Sequence, residues 1–232
     1  MAASNPSLIS FPVACDGFPD LIFHLAGAED VEELTKFIMT EFFYRFPLKD
    51  AAGFDVDKEI RPWIGKYISH VCSKNFSIIL RDTSQGNRIS AACINDIDCK
   101  NRPDDDIGLV SFNDPMERPG WNKICQLLDE LHVGMDLAED PILSIDLQAV
   151  GENYANRGLS SHCTKLTIQL AKSRGMQSIK VEAVNEFMAL TLAKVGFELA
   201  KEIDYNQFQI NGEIPFATKS IHQKARLFIH KM

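Results

Sequence analysis

The sequence predicts one α/β domain, with α+β character, built on a mixed, partly parallel and twisted β-sheet that carries helices on both faces. Residues 141–150 and 179–183 alternate apolar and polar side chains, which is typical of strands. Apolar residues at helical spacing follow each of these segments. A strand–helix–strand–helix–strand order requires crossover connections, so the sheet is at least partly parallel. With 232 residues, 45% of them hydrophobic, the chain can bury a sizeable core.

The first half is predicted to hold an N-terminal arm over residues 1–20, followed by three helices and three strands. A helix begins at Glu29 and Asp30, where the helix dipole favours negative charge, and it ends before Pro47. The run Asp104–Asp106 is predicted to be a solvated loop. The other elements are strands at Leu21–His24, Phe76–Arg81 and Arg88–Ile94, the last two as a hairpin, and helices over Asp57–Cys72 and Trp121–Met135.

The second half is more regular, and no linker interrupts it. The strand Pro141–Val150 is predicted to place Ser144, Asp146 and Gln148 together on one face. Residues 21–232 are therefore predicted to form a single domain. The remaining elements are helices from Gly158 to Gly175 and from Asn185 to Gly196, and strands Ile179–Ala183, Phe197–Tyr205 and Ala225–His230.

Composition excludes several classes of function. A net charge of −8 disfavours nucleic acid and anionic membranes as partners, because both reward clustered Lys and Arg. No stretch approaches the roughly 20 apolar residues of a membrane helix, and the N-terminus lacks the pattern of a signal peptide. The six cysteines form no C-x-x-C pair, and the six histidines show no H-x-x-x-H spacing. These features predict a cytoplasmic monomer or homodimer with reduced thiols and no metal.

The junction after the strand 141–150 is the most informative segment for chemistry. A polar loop leads into a helix whose first residues are Arg157, Gly158, Ser160 and Ser161. Unpaired first-turn amides and the helix dipole attract anions, and a glycine leaves room for close approach. The segment therefore fits a pyrophosphate cradle. A plain capped helix with a tight loop has the same pattern, and one glycine alone favours that simpler interpretation.

The junction resembles the acetyl-CoA-binding motif of the GNAT superfamily of N-acetyltransferases, R/Q-x-x-G-x-G/A. Further segments resemble the insect and nematode arylalkylamine N-acetyltransferases, and they run in family order over residues 25–232. They are Glu29–Leu34 leading into Phe42–Leu48, the strand end Leu147–Val150, Ala193–Glu198, and the tail segments Glu202–Tyr205 and Asn211–Phe216.

The resemblance implies a GNAT-like sheet that splays open between its fourth and fifth strands to receive acetyl-CoA as co-substrate. An N–H near Gln148 would polarise the thioester carbonyl, and Asn185 would lie near the pantetheine arm, although a simple helix cap explains Asn185 equally well. The implied cofactor contacts are backbone groups of Gln148, Ala149 and Val150 with the pantetheine, and the amides of Asn156, Arg157, Gly158, Leu159, Ser160 and Ser161 with the pyrophosphate.

This chain departs from the family pattern at positions that matter. The leading Arg or Gln of the motif falls on Ala155, and the Tyr that protonates the thiolate in the vertebrate enzymes falls on Leu192. The Glu that acts as general base in the insect branch is replaced by Phe46. The catalytic groups of that branch are therefore not carried over intact, and no acid is assigned.

Asp146, with neighbouring Ser144, is the first candidate for the general base that an amine nucleophile requires. A carboxyl group in a partly dry cleft can have its pKa raised towards neutrality. A hydrogen-bonded strand aspartate that only binds the charge of the amine is an equal alternative. Glu41, near the end of the first helix, is a second candidate, although a solvated helix residue explains it better.

The aromatic residues Phe43, Tyr44 and Phe46 are candidates for lining a pocket for an aromatic amine. The sequence therefore predicts an acetyl-CoA-dependent N-acetyltransferase of a small primary amine, with arylalkylamines such as dopamine, tyramine, octopamine or serotonin as the leading class. Two alternatives remain open: a non-catalytic acyl-CoA-binding protein, and an acetyltransferase of polyamines or lysine analogues, which the acidic charge favours.

Overall fold

Eight strands form one mixed sheet in a computed structural model that describes residues 9–99, 108–109, 116–135 and 141–232. The strand order is β1-β2-β3-β4-β5-β6-β8-β7. The pair β5–β6 is parallel and the other neighbours are antiparallel, which confirms the predicted mixed sheet. The strands are β1 (Val13–Cys15), β2 (Phe18–Leu25), β3 (Ile78–Asp82), β4 (Arg88–Asp98), β5 (Ile142–Val150), β6 (Ser178–Ala183), β7 (Glu198–Asp204) and β8 (Lys224–Lys231).

Helices cover both faces of the sheet, as predicted. One face carries a buried apolar cluster that joins α1, α4 and α5 to the sheet, and the other carries a cluster formed with α6 and α7. Within the described ranges the α-helices are α1 (Val31–Ile38), α2 (Lys49–Ala52), α3 (Val56–Glu59), α4 (Arg61–Ser73), α5 (Pro119–His132), α6 (Leu159–Ser173) and α7 (Glu186–Lys194).

Three elements differ from the sequence prediction. The predicted arm contains β1, which pairs with β2 and buries Cys15, so the sheet begins inside residues 1–20. The helix predicted over 57–72 is broken between α3 and α4 at Ile60, because Pro62 in the first turn of α4 begins a new helix. The first helix changes at Met39 to a π-helical turn that extends to Phe43. The predicted Asp104–Asp106 loop lies outside the described residues.

The pairing between β5 and β6 is short. It joins Leu143–Ile145 to Ile179–Val181 and then ends, whereas β4 follows β5 along its whole length. Along its other edge, β6 pairs with β8 over its whole length, from Ser178 to Ala183. Because the pairing of β5 with β6 ends after Ile145, the sheet opens between these two strands. They correspond to the fourth and fifth strands of the sequence prediction, which did not include β1.

All six cysteines lie within the described residues and are free thiols. Five are buried, and Cys99, directly after β4, is partly exposed. Tyr205 is fully buried and donates its hydroxyl to the Val184 carbonyl at 2.7 Å, and Cys163 lies in the core, so both side chains have packing roles. Across the described segments, no helix has both the length and the apolar character needed to cross a membrane.

Candidate active site

A β-bulge places Asp146 at the point where the sheet opens. Ile145 pairs with Asn95 of β4 and Leu147 pairs with the preceding Ile94, so Asp146 is an extra residue in β5. A bulge reverses the inward–outward alternation that a regular strand would continue. The predicted common face of Ser144, Asp146 and Gln148 is therefore wrong at Gln148, because the extra residue turns that side chain to the opposite face of the sheet.

Two hydroxyl groups hold the Asp146 carboxyl group. Ser144 Oγ donates to Oδ1 at 2.5 Å, and the hydroxyl of the fully buried Tyr67 donates to Oδ2. Burial, followed by the negative charge of Asp96, raises the pKa of Asp146 to about 7, although both hydroxyl groups oppose the shift. Near neutral pH this group therefore exists in both protonation states, as a group that exchanges protons requires.

A cavity of about 300 Å³ lies in front of Asp146, beside α5. Its described lining residues combine the indole ring of Trp121 with a concentration of negative charge. Such a cavity suits a cation that has an apolar or aromatic body. Its charged and polar lining residues in the described chain are Asp96, Asp98, Asp129, Asp146, Glu182, His132, Lys180 and Ser144.

A second, narrower cavity of about 50 Å³ occupies the opening between β5 and β6. Phe42 and Gln148 line it on one side, and Asn185 and Met188 line it on the other. Asp146 lines both cavities. Two molecules, one bound in each cavity, would therefore come together at this carboxyl group, which is the arrangement that a two-substrate reaction requires.

The N-terminus of α6 begins directly beyond the second cavity. Gly158 precedes the helix with a φ of +77°, and a side chain built on it would meet no atom within 4 Å. The N–H groups of Ser161 and His162 bond to the Gly158 carbonyl, while earlier first-turn amides have no partner within the helix. Arg157 lies over the Tyr154 ring, 5.5 Å from its centroid. The junction therefore combines open space with positive potential.

The Gln148 side chain joins β5 to this helix. Its Nε2 donates to the carbonyl and to the hydroxyl oxygen of Ser160, both at 2.8 Å, and its Oε1 accepts from Thr164. These bonds fix the distance between the open strand edge and the N-terminus of α6. Ala149 and Val150 continue β5 and pair with Ala92 and Ala91 of β4.

Solved structures with the same architecture identify the fold. Arylalkylamine N-acetyltransferase 2 from Aedes aegypti has a TM-score of 0.78 at 20% identity, covering 91% of this chain and 99% of its own. The Drosophila melanogaster polyamine N-acetyltransferase has a TM-score of 0.75 at 14% identity, covering 92% and 100%. A Listeria monocytogenes acetyltransferase of the GNAT family has a TM-score of 0.53 at 12% identity, covering 96% and 100%. This chain has the GNAT fold. No protein-family model matches it.

None of the three predicted aromatic substrate residues is among the described lining residues of the two cavities. Phe43 is fully buried and Phe46 nearly so, because both pack into the core around Phe54 and Trp121. Tyr44 lies on the surface, where its hydroxyl bonds to Asp57 at 2.6 Å. The assignment of these side chains to an amine pocket is therefore corrected: Phe43 supports Trp121 from behind, with their ring centroids 5.9 Å apart.

Glu41 connects the first helix to the loop after β5. Its Oε2 accepts from Arg45 at 2.7 Å and from the Glu152 N–H at 3.1 Å. Among the described lining residues of the two cavities Glu41 does not occur. Asn185 caps α7 by accepting from the Met188 N–H at 2.8 Å, and it also lines the second cavity.

Sequence reasoning missed four side chains that surround Asp146 in this GNAT fold. Tyr67 comes from α4 and His132 from α5, while Lys180 and Glu182 come from β6. His132 Nε2 lies 2.5 Å from Glu182 Oε1, and Glu182, like Asp146, lines both cavities. Lys180 and Glu182 occupy the polar positions of an alternating strand, so the alternation could have indicated that both side chains lie on the same face of β6. Tyr67 and His132 belong to helices whose packing the sequence alone does not specify.

Proposed function

We propose that this protein is an N-acetyltransferase that transfers the acetyl group of acetyl-CoA to a small primary amine. The observation that carries the proposal is the position of Asp146. It stands at a bulge where β5 and β6 part, lines two adjoining cavities, and has a pKa of about 7. One cavity is acidic and suits an amine, and the other runs to a helix N-terminus that suits a diphosphate.

The open edge of β5 and the N-terminus of α6 fit acetyl-CoA. Backbone groups of Gln148, Ala149 and Val150 would bond to the pantetheine arm, and Asn185 would contact it from the other side. The open space beside Gly158 and the adjacent first-turn amides support a pyrophosphate site. The amides concerned belong to Asn156, Arg157, Gly158, Leu159 and Ser160, whereas the Ser161 N–H, which the family resemblance also implied, donates to the Gly158 carbonyl.

Asp146 acts as the general base in this proposal. An alkylammonium ion has no lone pair for attack, so a proton must first pass from its nitrogen to Asp146 Oδ1 or Oδ2. Bound acetyl-CoA supplies an activated acetyl thioester. A C–N bond forms and the C–S bond breaks, and the second proton lost by the nitrogen ends on the sulfur of the CoA thiol that leaves. A backbone N–H near Gln148 stabilises the negative charge that develops on the carbonyl oxygen. Ser144 and Tyr67 orient the carboxyl group.

Arylalkylamines are the leading substrate class. The Trp121 ring in the wall of the larger cavity supports an aromatic body, and the surrounding carboxylates support its ammonium group. Polyamines are the second candidate, since the same acidic lining favours cations in general. The insect proteins of the same fold include enzymes named for each class.

The proposal is tested by the release of free CoA. Purified protein is mixed with acetyl-CoA and, separately, tyramine, dopamine, octopamine, serotonin and spermidine. Asp146→Asn is expected to lower kcat/KM by about 10²–10⁴-fold, the range attributed to general-base catalysis. Asp50→Asn, which changes a side chain that is 95% exposed, is the matched control and is expected to keep full activity.

The outcomes separate an enzyme from a binding protein. Calorimetric binding of CoA with no acetylation of any amine in the panel would show a non-catalytic acyl-CoA-binding protein and refute the proposal. Full activity in Asp146→Asn would refute the assignment of the base while leaving the transferase intact.

A further inference from the structure

A lysine ammonium group is built into the wall of the larger cavity. The Lys180 side chain is only 10% exposed, and its Nζ lies 2.5 Å from Asp98 Oδ2 and 4.0 Å from Glu182 Oε1. Burial by itself lowers the pKa of Lys180, but the negative charges of Glu182, Asp98 and Asp146 outweigh burial and raise it. Lys180 therefore remains a cation inside a cavity whose other charges are mainly negative.

The position of Lys180 relative to Asp146 follows from the strand register. Lys180 pairs with Ser144 on the neighbouring strand, two residues before Asp146. Asp98 and Glu182, which hold the Lys180 ammonium group, line the same cavity as Asp146. A linear diamine bound with one nitrogen at Asp146 would place its second ammonium group among the carboxylates that Lys180 already neutralises.

We propose that Lys180 is a specificity-determining residue that selects amines with a single positive charge. Its ammonium group already occupies the position between Asp98 and Glu182 where a second substrate cation would otherwise bind. It also repels such a cation across a partly buried space, where charges interact more strongly than in water. This inference rests on the proposed function and predicts that the acidic cavity discriminates against diamines.

The wild-type enzyme provides the first test. n-Pentylamine and 1,5-diaminopentane have the same carbon chain and differ by one ammonium group. We expect kcat/KM to favour the monoamine by about tenfold or more, because the second ammonium group of the diamine is repelled by Lys180 in a medium with an effective dielectric constant of about 20. Equal use of both amines, or preference for the diamine, would overturn the inference.

Variants of Lys180 provide the second test. Lys180→Met removes the charge and is expected to narrow the preference by about tenfold or more, while Lys180→Arg is expected to keep it. Lys224→Met removes a lysine that pairs with Glu202 on the surface, so this control should leave the ratio unchanged. Lys180→Gln replaces the methionine variant if that protein does not fold. The same ratio in wild type and in the uncharged variant would overturn the inference.

Failure of the proposed function gives a different result. If neither amine is acetylated, calorimetric titration of both amines into the CoA-bound protein still measures the preference. Tighter binding of the monoamine, lost in the uncharged Lys180 variant, would support the role of Lys180 without turnover. Equal binding of the two amines, or binding of neither, would overturn it.

Discussion

Asp146 is predicted to cost the folded protein stability at the pH where it would act. Its pKa rises from 3.8 to about 7 on folding, so the folded state binds this proton more tightly than the unfolded chain does. Stability from this group is therefore greatest at low pH and falls as the pH rises through the interval between those two values. Integrated over the range from about pH 5 to pH 8, the loss amounts to about 2–3 kcal/mol.

Asp146→Asn removes this loss while keeping the shape of the side chain. The hydroxyl groups of Ser144 and Tyr67 can each donate or accept, so an amide can replace the carboxyl group between them. We expect the variant to gain about 2–3 kcal/mol relative to wild type between about pH 5 and pH 8. Urea unfolding at several pH values measures the difference, because the titration of other groups is common to both proteins.

The control for this experiment is Asp50→Asn, whose solvent-exposed side chain should leave the pH dependence of stability parallel to that of wild type. If the Asp146→Asn and wild-type curves also run parallel, Asp146 does not carry a raised pKa, and the argument for it as a base at neutral pH fails.

Four further substitutions test the packing and hydrogen bonding of the fold and the site. Tyr67→Phe removes a hydrogen bond that lowers the pKa of Asp146, so the acidic limb of the kcat/KM profile should move to higher pH; an unmoved limb would contradict the coupling. Gly120→Ala should lower the free energy of unfolding by about 1–3 kcal/mol, because the added Cβ would lie 2.1 Å from Phe54 Cβ. Gly65→Ala in α4 adds a Cβ that meets no atom within 4 Å, so it should raise the free energy of unfolding by about 0.5–1 kcal/mol. A thermal unfolding midpoint that is higher for Gly120→Ala than for Gly65→Ala would refute this packing. Asn185→Ala should lower stability by about 1 kcal/mol through loss of the α7 cap, and an unchanged unfolding midpoint would show that the cap contributes nothing.

Local patterns in the sequence predicted much of the sheet and its helices. Alternation predicted β5 and β6, and helical spacing predicted α5 and α6, because each of these elements buries one face on the core. The opening between β5 and β6 was predicted from the family resemblance and not from these local patterns. Alternation predicts that a strand exists, but it does not specify how far two strands remain paired.

The site was harder to predict than the fold. Asp146 was selected from alternation along β5, yet the bulge that presents it depends on the register with β4, which involves residues 50 positions earlier in the chain. The same bulge turned Gln148 to the other face. Phe43 and Phe46 were assigned to a pocket because aromatic residues line amine sites, but a helix that packs on the core has the same pattern. Their burial depends on Phe54 and Trp121, which sequence spacing does not connect to them.

The burial of five cysteines has a practical consequence for measuring this protein. A chromogenic disulfide such as Ellman's reagent reports the thiol of released CoA, but it also reacts with any accessible protein thiol. Burial raises the pKa of the Cys72, Cys93 and Cys125 thiols to about 12, which suppresses the reactive thiolate form. Background colour from the native protein should therefore come mainly from Cys99, at about one equivalent per chain, and replacing that residue with serine should give a continuous assay with a flat baseline.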